Sequence, residues 1–268
     1  MNSNTQLHFI SGLPRSGTTL LAAILRQNQQ LHSSIQSPLA DIVRAATFTM
    51  SNSESAFLID DTQRKLIVES IFKNFYEGHR DKIAVFDNNR SWTAQLCAIA
   101  TLLPEARVLV CLRNPAWVLD SIERLVQANP LRHSRLFTQE QGSVFGRVES
   151  LATKHLLAPA LNGVRQAWFS EYAPRLVAIQ YDSLVERPRE TVAKLYDILG
   201  IAPFQHDFDN VEYDEPAFDE RLGLVGMHRV SGPVRPRPRE TILPPELFSK
   251  HDREFWISGA NPRCVPVL

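Results

Sequence analysis

The stretch Leu7–Leu25, LHFISGLPRSGTTLLAAIL, constrains the fold more than any other part of the chain. An apolar run stops at Gly12, a second glycine stands at Gly17, two threonines follow, and a leucine- and alanine-rich segment begins. That order reads as a strand, a glycine-bounded turn and a helix. Such a junction aims backbone N–H groups and the positive end of a helix dipole at one point, where an anion belongs. Thr18 and Thr19 add hydroxyl donors, and Arg15 adds a cation able to make charge-assisted hydrogen bonds.

The loop departs from the triphosphate pattern Gly-x-x-x-x-Gly-Lys-Ser/Thr, because Thr18 stands where the lysine would be and the strong cation, Arg15, lies inside the turn. Triphosphate chemistry uses that lysine, together with magnesium, to neutralise a heavily charged transferred group. A sulfuryl group has one fewer ionisable oxygen, and its transfer is served by hydrogen bonds and single cations. The loop suits sulfonate transfer better.

Short apolar runs alternate with helix-period segments along the rest of the chain, as in βαβ units. Strands are expected at Leu7–Ser11, Ile83–Asp87, Val108–Leu112 and Leu176–Tyr181, with a weaker one near Ile35. In VCLRNPAWVLDS, Asn114 suits a helix cap and Pro115 the first helical position, which sets Ser121 and Arg124 on a face beside Trp117. A long helical region follows over Gly142–Trp168, with a break expected at Pro159. RPRETVAKLYDILG reads as a helix stopped by Gly200. The expected fold is α/β, a single P-loop-type domain over residues 1–268 with a central parallel sheet flanked by helices. An Arg/Pro-rich extended loop at about 228–245 carries Arg229, Arg235, Arg237 and Arg239. Those arginines either close over an anion or form a solvated strand.

Lysine plus arginine and aspartate plus glutamate both number 29, so no basic field calls for nucleic acid, and any anion site is local. Apolar runs all fall short of the roughly 20 residues a membrane span needs. The N-terminal residues read as no signal peptide, and a cytoplasmic location is expected. Cys97, Cys111 and Cys264 are too few and too scattered for a disulfide framework or a zinc site, and no ligand spacing calls for a metal.

GLPRSGTTLL resembles the 5′-phosphosulfate loop of sulfotransferases that use 3′-phosphoadenosine 5′-phosphosulfate (PAPS), in the arginine form of the tyrosylprotein sulfotransferases and many bacterial relatives; cytosolic members carry lysine at the Arg15 position. The pairing of Arg113 at a strand end with Ser121 eight residues on is similar to the family's 3′-phosphate motif. QYDSLVERPRETVAKLYDILG is similar to its strand–helix segment, whose adenine-contacting tyrosine maps onto Tyr181. The resemblance spans about 190 residues, in order. It implies a PAPS-dependent sulfotransferase that needs no metal, releases 3′-phosphoadenosine 5′-phosphate, and binds its donor through Arg15, Ser16, Gly17, Thr18, Thr19, Arg113, Ser121 and Tyr181. Arg15 is also a candidate for the transition-state charge.

Transfer to a hydroxyl or amine needs a base near the acceptor and a cation near the departing oxygen. The family glutamate position falls at Gln36, the segment VFDNNRSW holds no histidine, and Asn88 and Asn89 occupy the usual lysine region, leaving Arg90 as the nearest cation. Candidate bases are Asp87, His228 and Asp41; His8, His32, His133 and the other histidines read as structural or surface groups. The acceptor could be a small metabolite, sugar, lipid or peptide tyrosine. The competing readings are a P-loop kinase and a nucleotide-binding protein of the same fold that has lost its base.

Overall fold

The structure, a computed structural model, describes residues 5–131, 134, 137, 142–238, 240–252, 261 and 263–268. His133 and Arg239 lie outside the described residues. Five strands form the sheet: β1 (Gln6–Gly12), β2 (Leu31–Ser33), β3 (Ala84–Asn88), β4 (Val108–Leu112) and β5 (Leu176–Gln180). All pair in parallel, in the order β2-β3-β1-β4-β5, so β1 lies at the centre. Their near-continuous apolar runs follow from burial on both faces, the usual state of a parallel sheet.

Helices cover both faces. In chain order they are α1 (Thr18–Leu25), α2 (Leu39–Asn52), α3 (Asp61–Phe75), α4 (Leu96–Leu102), α5 (Pro115–Ala128), α6 (Val144–Thr153), α7 (Leu157–Phe169), α8 (Tyr181–Glu186), α9 (Pro188–Leu199), α10 (Pro216–Leu222) and α11 (Pro245–Asp252). One core layer joins Phe9, Val85 and Val110 to α2–α7, and the opposite layer joins Ile10, Phe86 and Leu109 to α1, α8 and α9. The molecule is a single α/β domain with a central parallel sheet flanked by helices. No helix among the described residues is long and apolar enough to cross a membrane.

Three expectations shift. The strand sought near Ile35 lies at Leu31–Ser33, and Ile35 packs in the loop after it. The 142–168 helical region breaks before Leu157 rather than at Pro159, which sits in the first turn of α7, where its missing N–H leaves no hydrogen bond unmade. Tyr181 opens α8 instead of closing β5. As expected, Asn114 caps α5 by accepting the Ala116 N–H, and Gly200 closes α9 at φ 65°. The C-terminal residues add an unanticipated pairing: Leu268 and Pro266 exchange backbone hydrogen bonds with Ala178 and Gln180, covering the β5 edge.

Burial makes one acid-sensitive point. His8 on β1 is 3% exposed, its Nδ1 accepts the Arg107 N–H, and desolvation, with Arg107 adding to it, lowers its pKa from 6.5 to about 4. Because the folded state holds the neutral ring, this contribution is complete above pH 6.5 and is lost as pH falls towards 4. Urea denaturation is expected to show the wild type losing on the order of 3 kcal/mol more than His8→Gln across that window. Parallel losses in the two proteins would refute the assignment.

Candidate active site

The β1–α1 turn is built by three residues of positive φ and one inward serine. Gly12 takes φ 131° where β1 runs against β4, and a Cβ there would lie 2.0 Å from the Cys111 carbonyl oxygen. Arg15, a non-glycine residue, holds φ 57°. Ser16 was expected among the donor ligands, but its buried hydroxyl faces the protein, within hydrogen-bond distance of the Leu13 (2.5 Å) and Cys111 (2.8 Å) carbonyls, and it does not line the cleft. It staples the turn to β4. Gly17 caps α1 in the left-handed region with no side-chain cap, and no acidic residue occupies the first turn. The first N–H groups of α1 therefore meet the cleft with the helix dipole uncompensated.

The other strand ends converge on this turn. The Arg113 Nη1 donates to the Arg15 carbonyl at 3.2 Å, and its guanidinium lies 4.2 Å from the centroid of the Tyr181 ring, a cation–π contact. Arg15 Nε donates to the Ser121 hydroxyl at 3.1 Å, and Arg15 Nη1 donates to the Met227 carbonyl. Tyr181 also packs against the turn, since a Cβ on Gly17 would come 3.1 Å from its ring. Arg15, Gly17, Thr18, Thr19, Arg113, Ser121 and Tyr181 thus share one cleft of about 760 Å³.

Strand order divides that cleft. Gln36 follows β2, Asn88 ends β3 and Arg90 follows it; all three line the side of the turn opposite Arg113, Ser121 and Tyr181. The asparagines have structural work here. Asn88 Nδ2 donates to the Ile35 carbonyl, Asn89 Nδ2 donates to the Ser37 carbonyl, and Asn89 Oδ1 caps the turn that follows by accepting the Ser91 N–H. They tie the β2 loop to the end of β3.

Two of the candidate bases sit outside the cleft. Asp87 is fully buried, accepting the Tyr76 hydroxyl at 2.5 Å and the Trp92 indole N–H at 2.6 Å, and it does not line the cleft. Desolvation raises its pKa, opposed by hydrogen bonds from Ser37, Tyr76 and Trp92. Asp87 anchors the core because its side chain shares a face of β3 with Val85, in the layer that holds Tyr76 and Trp92. Asp41 is exposed and pairs with Arg44 at 2.9 Å; it does not line the cleft, though its charge reaches Arg90, which does. His228 does line the cleft, with Nδ1 2.6 Å from Oδ1 of the buried Asp219.

Segment 229–238 of the Arg/Pro loop borders the cleft as an extended strap, Arg229, Arg235 and Arg237 among its lining. Its far end is pinned by Asp120, buried on α5, which accepts the Thr241 hydroxyl (3.1 Å) and the Ile242 N–H (2.8 Å) on one oxygen and Arg124 (2.9 Å) on the other. Asp120 and Asp219 were missed in the sequence. The glycines that close α10 and shape the next turn, Gly223 (φ 70°) and Gly226 (φ 85°), mark the reversal that brings Asp219 to His228. The only local mark of Asp120 is Arg124 four residues on; the strap groups it holds lie 121 and 122 residues away.

Residues 8–206 match the model of a family described as "Sulfotransferase family". No curated protein matches the chain. Among solved structures, the chain is similar to the sulfotransferase domain of the Synechococcus PCC 7002 olefin synthase, at 17% identity and TM-score 0.53 over 97% of this chain and 91% of that one. It is similar to a sulfotransferase from Alicyclobacillus acidocaldarius at 16% identity and TM-score 0.53, over 83% and 90% of the two chains. The sulfotransferase domain from the curacin biosynthetic pathway aligns at 17% identity and TM-score 0.51, over 75% of each chain. At these identities the likeness carries the fold.

Proposed function

The chain belongs to the sulfotransferase family, and on that premise we propose that it moves a sulfuryl group from PAPS to an acceptor hydroxyl or amine, releasing 3′-phosphoadenosine 5′-phosphate. The observation that carries this reading is the meeting of Arg113, Ser121 and Tyr181 with the β1–α1 turn. A plain phosphate loop needs none of the three. A cleft of about 760 Å³ suits a nucleotide. The residues present also fit the donor's parts: uncapped helix N–H groups for a 5′-phosphosulfate, an arginine and a serine for a 3′-phosphate, and a tyrosine ring for the base.

When bound, PAPS supplies a sulfuryl group joined to a phosphate leaving group. Thr18, Thr19 and the α1 N–H groups hold the loop end of the donor and meet the charge that gathers on the departing oxygen. Arg15 adds the cation on that side, as in the arginine form of the family loop. Arg113 and Ser121 fix the register of the nucleotide, and Tyr181 stacks beside it. Arg90 is the cation on the Gln36 and Asn88 side, where the acceptor enters. No metal is required by this arrangement.

A calorimetric titration with 3′-phosphoadenosine 5′-phosphate, without magnesium and beside ADP and Mg·ATP, tests the reading. At least tenfold preference for the 3′-phosphorylated nucleotide is expected, about 1.4 kcal/mol. Equal affinity for ADP, or a strict need for magnesium, would overturn it in favour of a kinase. A donor-binding protein without turnover is the second reading, favoured by the seclusion of Asp87; PAPS turnover with any acceptor excludes it.

A further inference from the structure

The strap is tied to the body of the protein at both ends. At the near end Tyr213 and Val230 exchange backbone hydrogen bonds of 2.9 and 2.7 Å, and the Val234 N–H donates to the Phe208 carbonyl at 2.8 Å. At the far end the buried Asp120 accepts the Thr241 hydroxyl and the Ile242 N–H on Oδ1, and Arg124 at 2.9 Å on Oδ2. Arg124 donates in turn to the Glu240 carbonyl, and the Thr241 hydroxyl accepts the Leu243 N–H at 3.1 Å. Both members of one ion pair therefore grip consecutive residues, 240–242.

The stretch between the ties is of a different kind. Arg235, Pro236, Arg237 and Pro238 are exposed, line the cleft, and make no hydrogen bond or ion pair among the described residues. Proline at every second position restricts φ, so the stretch is an extended, stiff arm. A stiff arm pivots instead of crumpling. Held only at Val234 it would swing away from the cleft; held also at 240–242 it lies along it. Without the Asp120 ties, the next support is Leu243, buried in the core.

Burial makes this tie firm. A carboxylate removed from water depends on the donors that face it, and pulling the strap end away would strip Asp120 of two of them. An exposed ion pair would hold far less. The place of the tie also matters: Asp120 precedes Ser121, so one turn of α5 both faces the cleft and carries the strap's anchor. Neither Asp120 nor Arg124 lines the cleft itself.

We propose that Asp120, with Arg124, is a positioning pair for the bound donor: it holds the Arg235–Pro238 arm along the nucleotide, and this anchor sets how fast the nucleotide leaves. The inference rests on the donor reading above. Loosening the anchor removes the arm from a nucleotide already seated on the β1–α1 turn. Encounter with that turn does not require the arm, so the effect falls on dissociation and not on association.

The test is surface plasmon resonance on the immobilised full chain, with 3′-phosphoadenosine 5′-phosphate as the analyte. Thr241→Val, which removes one hydroxyl from a partly buried position, is expected to raise the dissociation rate about threefold. Asp120→Asn, which also sets an amide against Arg124, should raise it about tenfold. Association rates should stay within about twofold of wild type. The double variant should dissociate no faster than Asp120→Asn alone, because both changes break the same contact. A merely structural Asp120 would lower the fraction of competent protein and the urea midpoint, and leave the dissociation rate of the molecules that bind untouched. That result, or an unchanged rate in Thr241→Val should Asp120→Asn fail to fold, would overturn the proposal. A wild type that does not bind the bisphosphate would overturn the donor reading itself, and this inference with it.

Discussion

Replacing Gly12 with alanine is expected to destabilise the protein by on the order of 4 kcal/mol, the largest effect of any single methyl group in the site. The φ of 131° is open to glycine and strained for any L side chain. The added Cβ would also lie 2.0 Å from the Cys111 carbonyl oxygen. That oxygen belongs to strand β4, pairs in register opposite Gly12, accepts the Leu13 N–H, and lies within hydrogen-bond distance of the Ser16 hydroxyl. It cannot retreat without opening the centre of the sheet at the point where the turn begins. Urea denaturation with the change in midpoint checks it, and near-wild-type stability would mean that the β1–β4 contact is looser than the geometry shows. Cys111 itself should be inert towards thiol reagents in the folded protein, because burial pushes its thiol up to about 12.

The second large effect is expected on binding. The double substitution Arg113→Ala/Ser121→Ala should raise the Kd for 3′-phosphoadenosine 5′-phosphate by at least about 100-fold, or 2.7 kcal/mol, while changing the Kd for ADP far less. The asymmetry is the informative part. Arg113 also donates to the Arg15 carbonyl and stacks on Tyr181, so a general loosening of the cleft would weaken both nucleotides alike. Loss confined to the 3′-phosphorylated ligand would assign the pair to that phosphate. A double variant that binds the bisphosphate as tightly as wild type would remove both residues from the site.

Much of the molecule was legible because its determinants are close in sequence. The strand–turn–helix order of residues 6–25, the Asn114–Pro115 start of α5 and the Gly200 stop of α9 depend on backbone geometry within a few residues. The convergence of Arg113, Ser121 and Tyr181 on the first turn follows one step further on, since parallel strands carry their C-terminal ends to the same edge of the sheet. Where side chains chose between two environments, the sequence was silent. Asp87 looked like a strand-end carboxylate on the ligand side, and the indole of Trp92 and the hydroxyl of Tyr76 took it into the core. Ser16 looked like a loop donor, and two carbonyls turned it inward.

Sequence by itself determined the parallel α/β architecture, the strand–turn–helix of residues 6–25 with its arginine in place of a lysine, and the places of Arg113 after β4 and Ser121 on the helix that follows. All of these rest on periodicity, glycine conformations and caps, which act over one or two turns of chain. Tertiary structure alone decided that Asp219 holds His228, that Asp120 pins a strap more than 100 residues away, and that the last residues cover the edge of β5. Those outcomes depend on which buried carboxylate or open strand edge meets which donor once the layers pack, and an isolated carboxylate in a sequence carries no record of its partner.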